Sequence, residues 1–311
     1  MQRYIIVRGF HALITLFAIS IIIFALTRAT GDPTDVMLPP EATIDEVERL
    51  RDYWRLDDPL HVQYLIYIGN VFTGNLGESV KWPGKTAGEL ILQRMPATIK
   101  LTVVAMIVSV SLALPLGILT AVKKDTMWDV GGKIFALLGQ AVPNFWLGIM
   151  MVWILAVHWD LFPTSGKGDG GWDGIHHLIL PAFALGAFNL AAGLRLSRSA
   201  MLDVLDSEYV KMARVKGLPE WIIIWKHCLR NAALIPLTYF GIQFAGLITG
   251  SVITETVFAY PGVGLLAIEA IRSRDFQVVQ SVVVVFAFIY VVVALLVDVL
   301  YAYLDPRIRL T

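Results

Sequence analysis

Few residues of this 311-residue chain have the types and spacing that catalysis would require. Pro83-Gly84-Lys85-Thr86 resembles the end of a phosphate-binding loop, but the full pattern needs a glycine at position 79, which is Ser79. The overlapping run Thr86-Ala87-Gly88-Glu89 has the pattern of a capping box, in which threonine and glutamate cap the first turn of a helix. A helix start is the better interpretation, and we expect no nucleotide site in these residues.

A second group has the side chains of a metal site. The stretch 158–177 contains three histidines and three aspartates: His158, Asp160, Asp169, Asp173, His176 and His177. Imidazoles and carboxylates can bind transition metals. The stretch is also polar, rich in glycine and contains Trp159 and Trp172, which is typical of a loop at a membrane surface. We prefer the loop and expect no metal or other cofactor in this chain. No nucleophile–base arrangement stands out, so we do not expect an enzyme.

Four uncharged polar side chains interrupt the long apolar runs of the chain: Gln140, Asn144, Asn189 and Gln243. They could line a water-filled path across a membrane. They could equally form hydrogen bonds between helices, each worth about 0.6 kcal/mol on average. The sequence leaves both interpretations open.

The acidic residues nearest to the apolar runs, Glu255 and Asp298, lie at the ends of those runs. Proton-coupled carriers usually place acidic or histidine groups inside the membrane, so these positions argue against such a carrier. An isolated carboxylate at Asp298 would be costly. We expect it to pair with Arg195 or Arg198, or to extend to the water at the headgroups.

The composition indicates a membrane protein. The chain is 57% hydrophobic and 16% charged, with a mean hydropathy of +0.67, whereas soluble domains are about 45–50% apolar and about 25% charged. The net charge is zero, which gives no support to nucleic-acid binding, and we expect none. The single cysteine, Cys228, cannot form an internal disulfide.

Six apolar runs are long enough to cross about 30 Å of hydrocarbon. They are Phe10–Leu26, Leu101–Val122, Ile134–Val157, Leu178–Leu194, Ala232–Thr254 and Val278–Val297, and none contains Asp, Glu, Lys or Arg. Prolines 115, 143, 181 and 236 lie in or at the start of these runs, and packed membrane helices tolerate them. The sequence therefore predicts an all-α membrane protein with six spans.

The distribution of basic residues predicts the orientation. With the N-terminus inside, fourteen Lys and Arg residues lie in the inner segments, against three (Lys167, Arg272 and Arg274) in the two short outer loops. Short loops rich in Lys and Arg stay in the cytoplasm, so both termini are expected there. The first run exceeds the ~7–15 apolar residues of a cleaved signal peptide, although Thr27-Arg28-Ala29 is a passable cleavage site. We therefore expect a retained anchor.

The long outer loop after the first span should be partly helical. Thr43-Ile44-Asp45-Glu46 is another capping-box pattern, Asp58-Pro59 can start a helix, and Gly74 can end it. A later apolar run, Val257–Ala270, is too short to span a membrane and is interrupted by proline and glycine. We interpret it as an outer re-entrant or interfacial turn at Pro261, Gly262 and Gly264. This turn shapes the outer end of the path or is only part of the scaffold.

A charged stretch lies between the fourth and fifth spans, in residues 195–231. Asp203–Val215 and Pro219–Leu229 both have helical patterns, and Gly217 between them can supply the positive φ that ends a helix. Charged residues recur at helical spacing on one face of the first helix: Glu208, Lys211 and Arg214. The residues alone allow a rigid projection or a connector lying among lipid headgroups.

The same stretch resembles the cytoplasmic coupling loop of ABC importer permeases of the peptide/nickel group. The matching residues are Glu208-Tyr209-Val210, Ala213-Arg214, Lys216-Gly217-Leu218, His227, Leu229-Arg230-Asn231-Ala232 and Pro236. Further pieces of the group's pattern occur in order along nearly the whole chain: Gly31-Asp32-Pro33, Leu56-Asp57-Asp58-Pro59-Leu60, Pro96-Ala97-Thr98, Pro143-Asn144-Phe145-Trp146-Leu147, Tyr260-Pro261-Gly262-Val263-Gly264 and Leu304-Asp305-Pro306-Arg307-Ile308-Arg309. The wider family's Glu-Ala-Ala signature is matched only loosely, at Ala213 and Gly217.

The resemblance implies a type I importer fold in the inner membrane. It implies that this chain is paired with a homologous permease, two cytoplasmic ATPase subunits that bind ATP and magnesium, and an extracytoplasmic substrate-binding protein. It also implies four regions: a membrane anchor (1–30), an extracytoplasmic helical loop (31–95), the transmembrane domain with the coupling loop 195–231 (96–304), and a cytoplasmic tail (305–311).

The cargo of this group is most often a di- or oligopeptide. Nickel or a nickel chelate is the alternative, which the short loop 158–177 and the Pro143-Asn144-Phe145-Trp146 stretch also suit. A carrier or channel that works alone is a further class. Uptake without an ATPase would favour that class, and co-purification with an ATPase would exclude it.

The orientation can be tested by cysteine labelling. Ser165→Cys should react with a membrane-impermeant thiol reagent only from outside, and Asp206→Cys only from inside, because of the fourteen-to-three distribution of basic residues. The unsubstituted chain, whose one cysteine is Cys228, measures the background. Labelling of both positions from outside would contradict the topology.

Overall fold

The computed structural model describes residues 2–29, 43–53 and 55–304. The predicted tail 305–311, the Gly31-Asp32-Pro33 piece and most of the Leu304–Arg309 piece lie outside these residues. Thirteen α-helices are present in the described part: α1 Gln2–Ala29, α2 Ile44–Tyr53, α3 Leu60–Thr73, α4 Ala87–Val122, α5 Met127–Ala141, α6 Asn144–Met151, α7 Gly171–Leu205, α8 Glu208–Val215, α9 Glu220–Ile222, α10 Leu229–Ala232, α11 Leu234–Val257, α12 Val263–Arg272 and α13 Phe276–Leu304. π-helical segments, Val152–His158 and Ile223–Cys228, continue α6 and α9.

The prediction of an all-α membrane protein is confirmed. Helices α1, α4, α7, α11 and α13 each contain a stretch long and apolar enough to cross a membrane. In the described residues, β-structure is limited to an isolated bridge between Glu78 and Thr86.

The third predicted span, Ile134–Val157, is not one straight helix. The chain bends by 105° between α5 and the segment Asn144–His158, so this pair is a sixth span only if the two parts cross together. The bend lies at Val142 and Pro143, and Val142 has an extended backbone (φ −83°, ψ 125°). A residue before proline is driven out of the helical region by the proline ring, and proline has no N–H to continue the ladder. Pro143 therefore separates two helices, and one continuous helix over Ile134–Val157 does not form.

The helix ends between α3 and α4 follow the predicted patterns closely. The Thr86 N–H donates to Glu89 Oε2 and the Glu89 N–H donates to Thr86 Oγ1, both at 3.2 Å. This reciprocal pair is a capping box at the start of α4, which confirms the interpretation preferred over a phosphate loop. Gly74 ends α3 with φ 75°, as predicted, while the residue that precedes α3 is Pro59 rather than Asp58.

The Pro-Gly turn near residue 262 differs from expectation. Gly262 is extended (φ −98°, ψ −175°), and Gly264 lies inside helix α12. The positive φ of this stretch belongs to Ala259, at 44°. A sharp turn made by the two glycines was therefore the wrong expectation, because the apolar residues after Pro261 form a ten-residue helix instead. The role of Pro261, Gly262 and Gly264 at the outer end of the path stays a prediction.

The chain divides into two compact units, residues 1–97 with 261–311, and residues 98–260. In the first unit, α1 packs along α13, and Tyr64 of α3 contacts Phe17 and Phe24 of α1 edge-on. Ser20 and Tyr64 share a hydrogen bond of 2.7 Å. These contacts hold α1 and α3 together.

The second unit is built around α7, which is largely buried. Its interfaces use small residues. A side chain at Gly186 would lie 2.7 Å from the Ala105 carbonyl of α4, and one at Gly139 of α5 would lie 2.7 Å from the Ala191 methyl of α7. A side chain at Gly117 of α4 would meet Ser197. Helices approach closely in membranes where such residues leave the backbones uncovered. Consequently α7 positions the helices that carry the candidate site.

Candidate functional site

The charged stretch between the fourth and fifth spans forms a helical hairpin. We call residues 208–232 the coupling segment. Its first helix, α8, starts at Glu208 rather than at the predicted Asp203, because α7 continues to Leu205 and the chain turns at Asp206 and Ser207. Its second arm follows Pro219 and continues through a π-helical stretch to Ala232.

The turn between the arms has the predicted geometry. Gly217 has φ 76°, which confirms the expected positive value. Its N–H donates to the Arg214 carbonyl at 2.9 Å, and the Leu218 N–H donates to the Ala213 carbonyl at 3.3 Å. A Cβ at Gly217 would meet no atom within 4 Å. The requirement for glycine therefore comes from the backbone conformation and not from crowding.

One face of the segment is buried against the ends of two long helices. Val210, Ile223 and Cys228 have no exposed surface, and they belong to one apolar cluster with Ile118 of α4 and Met201 of α7. Burial also raises the pKa of the Cys228 thiol. A buried cluster of this kind fixes the segment to α4 and α7. A flexible connector lying among lipid headgroups would not need such a cluster.

The charged side chains of the segment form ion pairs with one another. Lys211 bonds Glu208 at 2.8 Å, and this hydrogen bond raises the pKa of Lys211. Arg214 Nε donates to Glu220 Oε1 at 2.9 Å, which joins α8 to α9 across the Gly217 turn. The sequence predicted Glu208, Lys211 and Arg214 as an outward face and missed Glu220. Opposite charges six residues apart across a glycine turn were the available signal.

A further polar link joins the two arms. Asn231 Nδ2 donates to Tyr209 Oη at 3.0 Å and to the His227 carbonyl at 2.9 Å. Both Tyr209 and Asn231 belong to the pattern that suggested a coupling loop. In this structure they connect the start of α8 to α10.

The surface of the segment that faces away from the cluster is partly apolar. Tyr209, Met212 and Val215 recur every three residues along α8, and Val215 is 83% exposed. Trp221 and Trp225 of the second arm are also exposed. Exposed apolar side chains beside charged ones are typical of an interaction surface. The remaining predicted coupling residues lie in or beside the turn. Ala213 is buried, whereas Lys216 and Leu218 are exposed.

The predicted path residues are only partly brought together. Asn189 is buried, and its Oδ1 accepts hydrogen bonds from Gln243 Nε2 at 3.1 Å and from Tyr239 Oη at 3.0 Å. These hydrogen bonds link α7 to α11. Tyr239 belongs to this hydrogen-bonded group, although the sequence did not indicate it. Gln140 donates to the Ala136 carbonyl of its own helix, and Asn144 begins α6 after the bend. Of the two interpretations, the interhelical hydrogen bond is present for Asn189 and Gln243. The path stays a prediction.

The predicted pairing of Asp298 with Arg195 or Arg198 is wrong. Asp298 Oδ2 lies 3.3 Å from Arg8 Nε, because α1 packs along α13 and brings Arg8 level with the carboxylate. Arg198 forms two bonds to the buried Asp129, of 2.6 and 3.0 Å.

Asp129 was not singled out from the sequence. It lies in the first turn of α5, has no exposed surface, and is also bonded by Lys133 at 2.8 Å. A fully buried carboxylate needs such partners, since losing one would leave a buried charge uncompensated. The pair fixes the start of α5 to the C-terminal half of α7.

The histidines and aspartates near residue 170 make local contacts. Among the described residues, no group of three His, Cys, Asp or Glu side chains is arranged to hold a metal ion. Helix α7 begins at Gly171, so Asp173, His176 and His177 are in its first turns and not in a loop. His176 Nε2 lies 2.8 Å from the Leu161 carbonyl, and His177 Nδ1 lies 2.9 Å from the Asp173 carbonyl.

The chain is similar to known transport proteins over its whole length. Residues 113–310 match the family described as "binding-protein-dependent transport system inner membrane component", and residues 1–102 match the N-terminal family of the same components. The oligopeptide transport system permease protein AppB of Bacillus subtilis is 38% identical over 99% of this chain and 100% of that protein. The dipeptide transport system permease proteins DppB of Alkalihalophilus pseudofirmus and Escherichia coli are each 36% identical, covering 94% and 99% of this chain and 95% and 99% of their own lengths.

Cys228 can report on the hairpin, because it is the one cysteine of the chain and lies in the buried cluster. Gly217→Val places a β-branched residue at positive φ, at a cost of about 1–3 kcal/mol. In this variant we expect the Cys228 thiol to be labelled about tenfold faster than in the unsubstituted chain. Gly217→Asn is the matched control, since asparagine tolerates this conformation and should change the rate little.

The cross-turn pair can be separated from the turn with the same readout. Arg214→Glu should speed labelling modestly, up to about fivefold, because an exposed pair contributes about 0.2–1 kcal/mol. Combining it with Glu220→Arg should restore the original rate. If the swapped pair labels as fast as the single variant, Arg214 and Glu220 do not join the arms.

Proposed function

This chain belongs to the family of binding-protein-dependent transport system inner membrane components, and on that premise we propose that it is the permease subunit of an ATP-driven importer of di- or oligopeptides. It would form half of the translocation path. The names of its relatives support peptides as the cargo over nickel, since AppB and the DppB proteins are named for oligopeptide and dipeptide transport.

The proposed assembly contains a second, homologous permease, two cytoplasmic ATPase subunits and an extracytoplasmic binding protein. ATP and magnesium would be bound by the ATPase subunits, and this chain would contribute no catalytic residue and no cofactor. The family's description as dependent on a binding protein supports this division of labour. The proposed orientation has both termini in the cytoplasm of a bacterial cell, with the coupling segment on the same side.

The observation that carries the mechanism is the buried cluster beneath the coupling segment. Val210 and Ile223 pack with Ile118 of α4 and Met201 of α7 without leaving surface exposed. Protein interiors are close-packed and transmit displacement. A push on the outward surface of α8 would therefore move the inner ends of α4 and α7.

The outward surface is the proposed contact with the ATPase. Tyr209, Met212 and Val215 supply an exposed apolar strip that does not contribute to the cluster. The charges beside the strip are paired with each other, so recognition would depend more on the apolar strip than on free charges.

The function can be tested on the assembled transporter in vesicles. Val215→Asp should reduce co-purification of the ATPase and peptide-stimulated ATP hydrolysis by about tenfold or more, because a charge enters an apolar contact. Gly217→Val should reduce stimulated hydrolysis and uptake while the ATPase still binds, because the turn between the two arms of the coupling segment is distorted. Ile44→Asp, at an exposed apolar residue of α2, is the control for adding a charge to the surface.

Three results would count against the proposal. Wild-type stimulation in both Val215→Asp and Gly217→Val would remove the coupling role. Uptake by this chain without any ATPase would favour a carrier that works alone. Stimulation by nickel and not by peptides would replace the cargo while leaving the coupling role in place.

A further inference from the structure

An apolar groove of about 500 Å³ lies in the second unit between α4, α5 and α7. It is unrelated to the coupling segment and to the polar residues of the predicted path. Its larger lining side chains are Leu116, Leu119, Met127, Trp128, Phe135 and Leu194. The volume is within the range of about 300–1,000 Å³ that is usual for small-molecule sites.

Two adjacent glycines of α5 create the groove. A side chain at Gly132 would collide with the Thr120 methyl group, so α5 lies directly against α4 at this point. A side chain at Gly131 would meet nothing within 4 Å. Gly132 allows the two helices to approach closely, and Gly131 leaves the groove open beside that contact.

The turn that joins α4 to α5 supplies positive charge next to the groove. Lys123 and Lys124 are exposed there, directly after the groove residues of α4 and directly before those of α5. Asp129 is already matched by Arg198 and Lys133. The net positive charge at the turn therefore comes from the two lysines, and the exposed carboxylate of Asp125 offsets part of it.

Two exposed side chains mark the level of the membrane surface. Met127 is 84% and Trp128 65% exposed, and both line the groove. Tryptophan concentrates where hydrocarbon meets headgroups. The groove thus combines an apolar hollow at hydrocarbon depth with lysines at the headgroup level.

We propose that this groove binds one acyl chain of an anionic phospholipid of the cytoplasmic leaflet, with its headgroup against Lys123 and Lys124. Basic pockets between membrane helices on the cytoplasmic side suit acidic headgroups, and each lysine near the surface contributes about fivefold to the affinity for them. The assignment depends on the orientation of the chain and not on its cargo or its coupling role.

Charge complementarity favours a lipid over the other available occupant, a helix of the second permease. A homologous subunit inserted with the same orientation carries its own lysines and arginines at the cytoplasmic level. Juxtaposed like charges suppress association, whereas an anionic headgroup is complementary to Lys123 and Lys124.

The test uses the full-length chain in its assembled transporter, reconstituted in vesicles. The probes are phosphatidylglycerol and phosphatidylcholine, each with a photoactivatable diazirine in one acyl chain. After irradiation, mass spectrometry measures the labelling of peptides from residues 116–135. Wild-type labelling by phosphatidylglycerol should exceed that by phosphatidylcholine about tenfold.

Two variants separate the hollow from the charge. Gly131→Leu places a large side chain in the groove, at a position where a Cβ meets nothing within 4 Å, and should reduce labelling by both lipids at least fivefold. Its matched control is Gly246→Leu in α11, where a side chain also meets nothing within 4 Å. Replacing Lys123 and Lys124 with Gln should abolish the preference for phosphatidylglycerol while labelling by phosphatidylcholine persists. Lys85→Gln with Lys100→Gln, at exposed positions, is the control for removing two charges.

Any of three results would overturn the proposal. Equal labelling in Gly131→Leu and Gly246→Leu would show that the lipid does not enter the groove. Equal labelling of the wild type by the two lipids would exclude an anionic site, and this comparison needs no variant to fold. Cross-linking of the groove to the second permease in place of lipid would assign it to a subunit interface.

Discussion

The second unit depends on the close approach of helices to the buried helix α7. Gly186 faces the Ala105 carbonyl, Gly139 faces Ala191, and Gly117 faces Ser197, at separations that leave no space for a side chain. In a lipid environment, hydrophobicity gives helices no preference for each other over lipid tails, so association depends on packing and hydrogen bonds. Small residues at these contacts meet that requirement. The Ser109 hydroxyl, which donates to the Gly186 carbonyl at 2.9 Å, adds a polar contact at the same interface.

The same arrangement bears on the proposed coupling role of the hairpin. The cluster below α8 contains residues of the C-terminal ends of α4 and α7, and these are the helices held together by the glycine contacts. The buried Asp129–Arg198 pair ties α5 to α7 near that end. Displacement of the hairpin would thus be shared by three helices rather than absorbed by a flexible connection.

Much of this could be predicted from local sequence patterns. The capping box at Thr86 and Glu89 and the positive φ of Gly217 are set by residues within one or two helical turns. The long apolar helices also follow from composition alone. Pro143 was misjudged, because the sequence does not say whether neighbouring helices will accommodate a proline or let the chain bend.

The errors that remain concern pairs that are distant in sequence. Asp298 bonds Arg8 because α1 packs along α13, and no periodicity in either helix specifies that neighbour. Asp129 and Arg198 are 69 residues apart, and Asn189 bonds Tyr239 and Gln243 across another helix interface. A single sequence offers many residues of the right type for each such pair, so packing decides among them.

If the buried cluster transmits force, the coupling segment and the C-terminal end of α4 move as one body. Pulsed electron paramagnetic resonance can measure it with spin labels at Lys216→Cys, directly after α8, and Val122→Cys at the end of α4, after Cys228→Ser has removed the native thiol. The assembled transporter would be compared without nucleotide, with ATP, and with vanadate-trapped nucleotide. The account predicts one narrow distance distribution that is the same in all three states. A distribution that shifts or broadens when nucleotide binds would contradict it, because the hairpin would then move independently of α4.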